Sequence, residues 1–358
     1  MQRIIILMCL VLALSGCEKV VDSGSLQDRG GIKYLPNTET PFAGKVEDYY
    51  ENGQLKYEAI HKNKNGAQES VVRTFYESNG QLKTEGTYKN GKEEGLDRAW
   101  YENGQLENEF TFKDDELNGL GRAWYENGQL NIEGTYKNGE LDGLGRIWDG
   151  NGQLKSEETY KNGKEDGLSR NWYENGQLKF EATYRSGELD GPYRTWHENG
   201  QLHVESTYKN DKKDGLARAW RESGQQSAEA TYKNGELDGL GRNWHENGQL
   251  QVEAILKNGE LDGLNRGWYE NGQLKFEITW KDGKEDGLGR DWYENGQMDV
   301  ETTYKNGKED GLGRNWYKNG QLENEFTYKD DELDGLWRNW DENGQLKFED
   351  TYKDGVKQ

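Results

Sequence analysis

The chain has 358 residues, carries a formal net charge of −21 and contains 48 Gly but only 3 Pro. Apolar residues make up 31% of it, which is too little for the thick core of a globular protein of this length. The 13 Trp and 21 Tyr must therefore supply most of the buried area. The negative charge excludes a reader of DNA or RNA, because phosphate would be repelled, and it favours a basic partner.

Residues 1–16 are predicted to be an export signal. Arg3 precedes an apolar run from Ile4 to Leu14, which is too short to span a bilayer. The run ends in Leu14-Ser15-Gly16-Cys17, which resembles the bacterial lipoprotein box, where signal peptidase cuts before the Cys and its sulfur is lipidated. The resemblance implies an exported lipoprotein anchored in a membrane through Cys17, in the outer membrane if the organism has two. The alternative is an ordinary secretory signal in which Cys17 has no role.

Residues 17–43 are interpreted as the lipidated Cys17 followed by a flexible tether. This stretch has little periodic pattern and contains Pro36 and Pro41, as is typical of a linker.

Residues 44–358 form a repeat of 24 residues. Each copy carries an Asn-Gly-Gln turn, replaced by Ser-Gly-Gln in one copy. The turn glycines at this spacing are Gly80, Gly104, Gly128, Gly152, Gly176, Gly200, Gly224, Gly248, Gly272, Gly296, Gly320 and Gly344. An earlier copy at Gly53 brings the total to thirteen, with three extra residues expected between Lys62 and Ser70. Such a period indicates a solenoid or array rather than globular domains.

Two turn signals divide each copy into segments of strand length. One is Glu-Asn-Gly-Gln, as at Glu174–Gln177, and the other is Lys-Asn-Gly, as at Lys161–Gly163. Asn-Gly predicts type I′ hairpin turns with a positive φ at both residues. The segments between turns are rich in Trp, Tyr, Thr and Val, and none has a helical period. The predicted fold is all-β, an elongated single-layer antiparallel sheet of about thirteen stacked β-hairpins.

A two-residue turn at Asn175-Gly176 fixes which residues lie opposite each other. The predicted pairs are Arg170 with Glu181, Trp172 with Lys179, and Tyr173 with Leu178. One face would then carry Leu168, Arg170, Trp172, Lys179, Glu181 and Thr183, and the other Tyr173, Leu178, Phe180, Ala182 and Tyr184.

The same positions recur as ladders. The tryptophans are Trp100, Trp124, Trp148, Trp172, Trp196, Trp220, Trp244, Trp268, Trp292, Trp316 and Trp340. An Arg stands two residues before each of them and a Glu five residues after each turn glycine, which gives structural pairs such as Arg170–Glu181 and Arg242–Glu253. The Arg is expected to stack on Trp while it pairs with Glu. The tryptophans either bury area within the sheet or form a binding surface.

Nothing in the sequence singles out a catalytic or metal site. The carboxylates repeat identically, so no copy is set apart for acid–base chemistry. His197 and His203 are expected on opposite faces of one hairpin, where they cannot share a metal. No enzymatic activity, cofactor or metal is predicted.

The unit resembles the MORN repeat, and more closely the bacterial MORN-variant repeats of YwqK-family antitoxins. The resemblance is carried by Tyr173, Glu174, Asn175, Gly176, Gln177, Leu178, Tyr184 and Asp190-Gly191, with equivalents in the other copies. It implies an elongated hairpin sheet used for protein or membrane contacts, and the antitoxin label implies binding of a toxin.

Two functions follow as hypotheses. The first is a non-enzymatic, lipid-anchored envelope protein that presents a β surface to a protein partner, either basic or a toxin. The alternative is a carbohydrate or cell-wall binding module that uses the Trp ladder as a glycan platform. An envelope enzyme would need a residue unique to one copy, and none is evident.

Overall fold

The computed structural model describes residues 19–358. The predicted signal at 1–16 and the predicted lipidation site Cys17 lie outside the described residues. Within the described part, no helix is long and apolar enough to cross a membrane. The strands are β1 Val20–Val21, β2 Gln27–Arg29, β3 Ile32–Tyr34, β4 Gly44–Tyr49, β5 Leu55–Lys64, β6 Ala67–Phe75, β7 Leu82–Lys89, β8 Lys92–Glu93, β9 Gly95–Trp100, β10 Leu106–Lys113, β11 Glu116–Leu117, β12 Gly119–Trp124, β13 Leu130–Lys137, β14 Glu140–Trp148, β15 Leu154–Lys161, β16 Lys164–Trp172, β17 Leu178–Arg185, β18 Glu188–Trp196, β19 Leu202–Lys209, β20 Lys212–Lys213, β21 Gly215–Trp220, β22 Gln226–Lys233, β23 Glu236–Trp244, β24 Leu250–Lys257, β25 Glu260–Trp268, β26 Leu274–Lys281, β27 Lys284–Trp292, β28 Met298–Lys305, β29 Lys308–Trp316, β30 Leu322–Lys329, β31 Glu332–Trp340, β32 Leu346–Lys353 and β33 Val356–Lys357.

The chain divides into two units, Met1–Gly167 and Leu168–Gln358, with the boundary inside β16. In the first unit, β4 pairs with β5, β5 with β6 and β6 with β7, all antiparallel and in chain order. In the second unit, β21, β22, β23 and β24 follow the same rule. The predicted class, an all-β antiparallel sheet of β-hairpins, is confirmed.

The prediction of a flexible tether is wrong for residues 19–43. β1 pairs with β4 in parallel, and β2 and β3 form a small hairpin. Phe42 packs with Val46 and Ala59 in a buried cluster. Gln68 is also buried there and donates to the Phe42 carbonyl oxygen at 2.9 Å. This segment therefore covers the first strand edge of the array, which would otherwise expose unpaired backbone groups.

The two turns of each repeat differ, and only one is of the predicted type. At the Lys-Asn-Gly turns both residues have a positive φ, such as 47° at Asn162 and 73° at Gly163, as a type I′ turn requires. At the Tyr-Glu-Asn-Gly-Gln turns, Gly176 donates to the Tyr173 carbonyl oxygen and Tyr173 N to that of Gln177. Of Glu174, Asn175 and Gly176, only the glycine has a positive φ, 83°. This is a three-residue loop closed by a G1-type bulge.

The three-residue loop and a second bulge, one residue after the leucine, overturn part of the predicted face assignment. In the copy around Gly200, Arg194 lies opposite Glu205 as predicted. Trp196, however, lies opposite Leu202 and not opposite His203, as the predicted register would require. The bulged residue is left out of the pairing, and the leucine moves to the side of the tryptophan. By the same turn geometry the predicted pairs Trp172–Lys179 and Tyr173–Leu178 are wrong. Each copy thus has a tryptophan face, defined by Trp196, Leu202, Arg194 and Glu205, and an opposite tyrosine face, defined by Tyr193, Val204 and Tyr208.

Of the three extra residues between Gly53 and Gly80, one lies outside the predicted stretch from Lys62 to Ser70. Gly80 N donates to the Tyr76 carbonyl oxygen, four residues back instead of three, so Ser78 is one of the three extra residues. Phe75, not Tyr76, lies opposite the leucine of this copy, Leu82. The other two extra residues lengthen the hairpin of β5 and β6, which is paired without a bulge.

The tyrosine face carries the packed interior of the sheet. Large side chains on one strand lie over glycines on the strand beside it, as Phe326 does over Gly313 and Phe276 over Gly267. Phe180 and Tyr193 meet edge to face with ring centroids 5.4 Å apart. Ala182 is fully buried in this row. Paired large and small residues replace the deep core that the composition excludes.

Candidate binding surface

The tryptophan face presents three parallel rows in each unit. The first row is that of the predicted Trp ladder, with Trp100, Trp124 and Trp148 in the first unit and Trp172, Trp196, Trp220, Trp244, Trp268, Trp292, Trp316 and Trp340 in the second. All eleven are half-buried. Each has a leucine or equivalent residue opposite it where the pairing is described, as in Trp244 with Leu250. The ladder therefore has exposed ring surface, although a binding role remains a prediction.

The second row is a ladder of ion pairs in which an Arg contacts one Glu, as Arg218 does, or two, as Arg314 does. Arg314 Nε donates to Glu325 Oε2 at 2.9 Å, and its Nη1 lies 3.5 Å from Glu301 Oε1. The predicted pairs fall in this row: Arg170 Nε donates to Glu181 at 2.8 Å and Arg242 Nε to Glu253 at 2.7 Å. Except at the last pair, Arg338–Glu349, the Glu side chains are less exposed than the Arg side chains, 19% against 36% for Glu301 and Arg290. Shared, half-buried partners hold both side chains in place better than isolated surface pairs do.

The third row is apolar and partly open to solvent. Leu216, Leu312 and Leu336 are 38%, 37% and 41% exposed. They lie opposite threonines, as Leu312 does with Thr327. Trp and Arg, which make up two of these rows, are among the residue types enriched at protein-binding surfaces.

Neighbouring three-residue turns are joined by side chains that sequence reasoning missed. Tyr125 Oη donates to the carbonyl oxygen of Trp148 at 2.9 Å. Asn175 Nδ2 donates to the Glu198 carbonyl oxygen at 2.7 Å, and Asn175 Oδ1 accepts from Gln177 N. The repetition of Tyr directly after Trp was the available signal, because a tyrosine that recurs at a turn needs a partner for its hydroxyl.

We expect Tyr125→Phe to lower the free energy of unfolding by about 0.5–1.5 kcal/mol, the usual worth of one hydrogen bond. The carbonyl oxygen of Trp148 would lose its hydroxyl donor. Urea denaturation followed by Trp fluorescence measures the change. Tyr136→Phe is the control, because no hydroxyl hydrogen bond of Tyr136 is described in residues 19–358. Equal effects of the two variants would contradict the role given to the Tyr125 hydroxyl.

Two predicted side-chain placements are corrected at the same turns. His197 and His203 do not lie on opposite faces, because their ring centroids are 4.2 Å apart. His203 is the bulged residue, and the bulge turns it towards His197. In four other copies the bulged residue is a Lys whose ammonium lies over a Tyr, as Lys179 does over Tyr173 at 5.4 Å. The cation–π contacts described are thus between Lys or Arg and Tyr, not the predicted stacking of Arg on Trp.

Acidic residues also occur within the tyrosine face of the second unit. Glu285 lies opposite Trp280, and Glu309 opposite Tyr304. Burial raises the pKa of both carboxyls above the ordinary value of 4.5, and for Glu309 the nearby Asp331 and Glu285 add to the effect. Within residues 19–358 no three His, Cys, Asp or Glu side chains are placed to hold a metal ion.

Because the pKa of Glu285 is raised by folding, its ionisation opposes folding at neutral pH. We expect Glu285→Gln to stabilise the protein at about pH 7, and the gain to shrink as the pH falls through the raised pKa and to vanish below 4.5, where both states are protonated. Denaturant midpoints measured across this range test it. The exposed Glu260, changed to Gln, serves as control. A stabilisation by Glu285→Gln that grows as the pH falls would contradict the predicted direction of the effect.

The hairpin order, the bulged turns and the three-row face define an all-β repeat protein of a kind that is typically non-catalytic and suited to binding. The sequence profile of the MORN repeat variant matches residues 43–63, 71–90, 93–114, 117–138, 141–162, 165–186, 189–210, 237–258, 261–282, 285–306, 309–330 and 333–354. The chain therefore belongs to the MORN repeat variant family. One copy, within residues 211–236, is passed over by the profile.

No curated protein sequence matches the chain. Among solved structures, two that show similarity are titled "Crystal Structure of TcdB2-TccC3" and the same complex "without hypervariable C-terminal region". They are 10% and 9% identical to this chain, with TM-scores of 0.19 and 0.18. The match covers 90% of this chain but 23% and 22% of theirs, so the chain spans about a quarter of their length. Such low scores carry no conclusion about fold or function.

Proposed function

We propose that the protein is a non-enzymatic scaffold that binds a protein partner across its tryptophan face. The observation that carries this proposal is the repeated, half-exposed row of Trp beside the Arg–Glu ladder and the exposed leucines. A repeated surface suits an extended partner, because many weak contacts add up through avidity. The antitoxin-like resemblance makes a secreted toxin one candidate for that partner.

The test is capture of a partner from envelope extract by the tagged protein, followed by mutation of the face. We expect a stoichiometric protein to be retained, and its retention to fall when Trp244, Trp268 and Trp292 are changed to Ala. The control variant changes Asn243 and Asn315, which lie on the tyrosine face, to Ala. Retention that is equal in both variants would refute binding through the tryptophan face, and so would the absence of any stoichiometric protein.

Glycan binding is the second candidate, and the spacing of the Trp row favours it. Successive tryptophans of one unit are two strands apart, or about 10 Å, which would let flat rings stack along a polysaccharide. Retention of the chain on peptidoglycan or polysaccharide, lost in the triple Trp variant, would support this function over a protein partner.

The proposed location is the cell envelope, through lipidation of Cys17. The support is the sequence Leu14-Ser15-Gly16-Cys17 after an apolar run. We expect Cys17→Ser to prevent the addition of lipid, so that mass spectrometry of the chain shows no lipid mass at this position. A lipid mass that survives this substitution would refute the anchor at Cys17 while leaving the binding proposal open to its own test.

A further inference from the structure

A depression interrupts the packed tyrosine face of the second unit. Its volume is about 370 Å³. Its floor is made of small residues, namely Ala217, Ala219, Ala228, Ala230, Gly241 and Ala254. Its walls include Val204, Tyr232, Leu237, Val252 and Leu256. The size and the apolar lining are those of a small-molecule site.

The depression exists because small residues lie opposite small residues over two copies. Ala217 faces Ala230, and Gly241 faces Ala254. Elsewhere in this unit the equivalent of the second pair is Gly313 with Phe326, where the phenyl ring covers the glycine. A volume that the chain fills elsewhere with an aromatic ring is therefore left open here.

The depression coincides with the least regular part of the array. The segment passed over by the family profile, residues 211–236, contributes Lys213, four of the six floor residues and Tyr232. In a chain of near-identical copies, this is a place where one copy differs from the rest in a way that creates a site.

One cation without an ion pair lies in the lining. Lys213 is half-buried, lies opposite Tyr208, and holds its ammonium 5.0 Å from the centre of the Tyr232 ring. Among the described residues, no carboxylate is placed within 4.0 Å of it. The other charged lining residues are already paired: Arg218 contacts Glu229 at 2.9 Å, and Arg242 contacts the same Glu at 3.7 Å. The equivalent position in the next copies is apolar, Leu237 and Leu261.

We propose that this depression binds a small molecule with an apolar body and a single carboxylate, with the body on the Ala/Gly floor and the carboxylate on Lys213. The apolar walls favour transfer of the body from water, and a half-buried ammonium gains most from an anion that is itself removed from water. The site lies on the tyrosine face, so it is independent of the function proposed for the tryptophan face.

The probe is octanoate, titrated by calorimetry into the full chain, with octanol as the uncharged counterpart. We expect saturable binding of octanoate at one site and weaker binding of octanol. Lys213→Leu introduces the residue that the next copies carry, so it should fold, and it should weaken octanoate binding about tenfold or more with little effect on octanol. Lys233→Leu, which removes an exposed Lys outside the depression, should change neither.

Ala254→Phe tests the apolar part. The new ring would lie over Gly241 as Phe326 lies over Gly313, and it should abolish binding of both probes while circular dichroism stays unchanged. Absence of octanoate binding would overturn the proposal. So would equal effects of Lys213→Leu and Lys233→Leu, or undiminished binding by a folded Ala254→Phe variant.

Discussion

Gly313→Ala should destabilise the second unit by about 1–3 kcal/mol, the usual range for overpacking an interior. A Cβ at position 313 would overlap Cε2 of Phe326 and lie 2.7 Å from its Cδ2. Phe326 also meets Tyr328, two residues along the same strand, edge to face with ring centroids 5.2 Å apart. The ring therefore has to leave its rotamer or push the strand away, and either response weakens the neighbouring hairpin.

Gly241→Ala is the matched control, because it makes the same change at the equivalent position of another copy. There the nearest side-chain atom to a new Cβ is Leu256 Cδ1 at 3.4 Å, an ordinary contact. Loss of the extra backbone freedom of glycine should make this variant neutral or more stable by up to about 1 kcal/mol. Denaturant unfolding of the two variants measures the difference. An equal loss of unfolding free energy in the two variants would show that the Phe326 ring over Gly313 is not the cause of the destabilisation.

Trp337→Ala should lower the free energy of unfolding by about 2–4 kcal/mol, and the loss should be concentrated in the hairpin of β31 and β32. Trp337 meets Phe348 edge to face at 5.1 Å and Tyr352 at 5.7 Å. Truncation of a buried Trp typically costs about 3–5 kcal/mol, and the lower figure reflects the partial exposure of this one. In a repeat array each hairpin is held mainly by its neighbours, so the loss should stay local.

Hydrogen exchange of the β32 amides is the direct measurement, because it reports local opening. Trp337→Phe keeps a ring but loses the indole N–H, which donates to Asn324 Oδ1 at 3.3 Å. It should cost less than about 1.5 kcal/mol. If β32 keeps full protection in Trp337→Ala, the aromatic cluster does not stabilise that hairpin.

The repeat, the strands and the Arg–Glu register could all be predicted from the sequence. The period is explicit, and Arg194 lies opposite Glu205 as the turn position requires. What failed was the register beyond that pair. Asn-Gly is the strongest sign of a two-residue turn, and at Asn162-Gly163 the structure has one. At Asn175-Gly176 the flanking Tyr and Gln close a three-residue loop, which shifts the register by one residue and moves the leucines to the other face.

The remaining surprises depend on tertiary contacts that a single sequence does not reveal. Phe42 and its apolar neighbours, spread over a stretch without periodicity, pack on the first strands. The depression around Ala254 arises from the absence of large residues on several strands at once. The stacking of His197 on His203 depends on the bulge. In each case composition and local pattern were compatible with more than one arrangement, and packing selected one.

The Arg–Glu ladder also determines how ionic strength should act on the protein. Each Arg is balanced by a Glu within the row, so the net charge of −21 resides mainly outside it, much of it on exposed turn residues such as Glu174, Glu198 and Glu294. A ligand seated on the centre of the tryptophan face meets a nearly neutral stripe, whereas one that approaches along the turns meets a row of carboxylates. Salt should therefore weaken the association of a basic ligand at the turns, through screening over about 10 Å, and leave its binding to the middle of the sheet nearly unchanged.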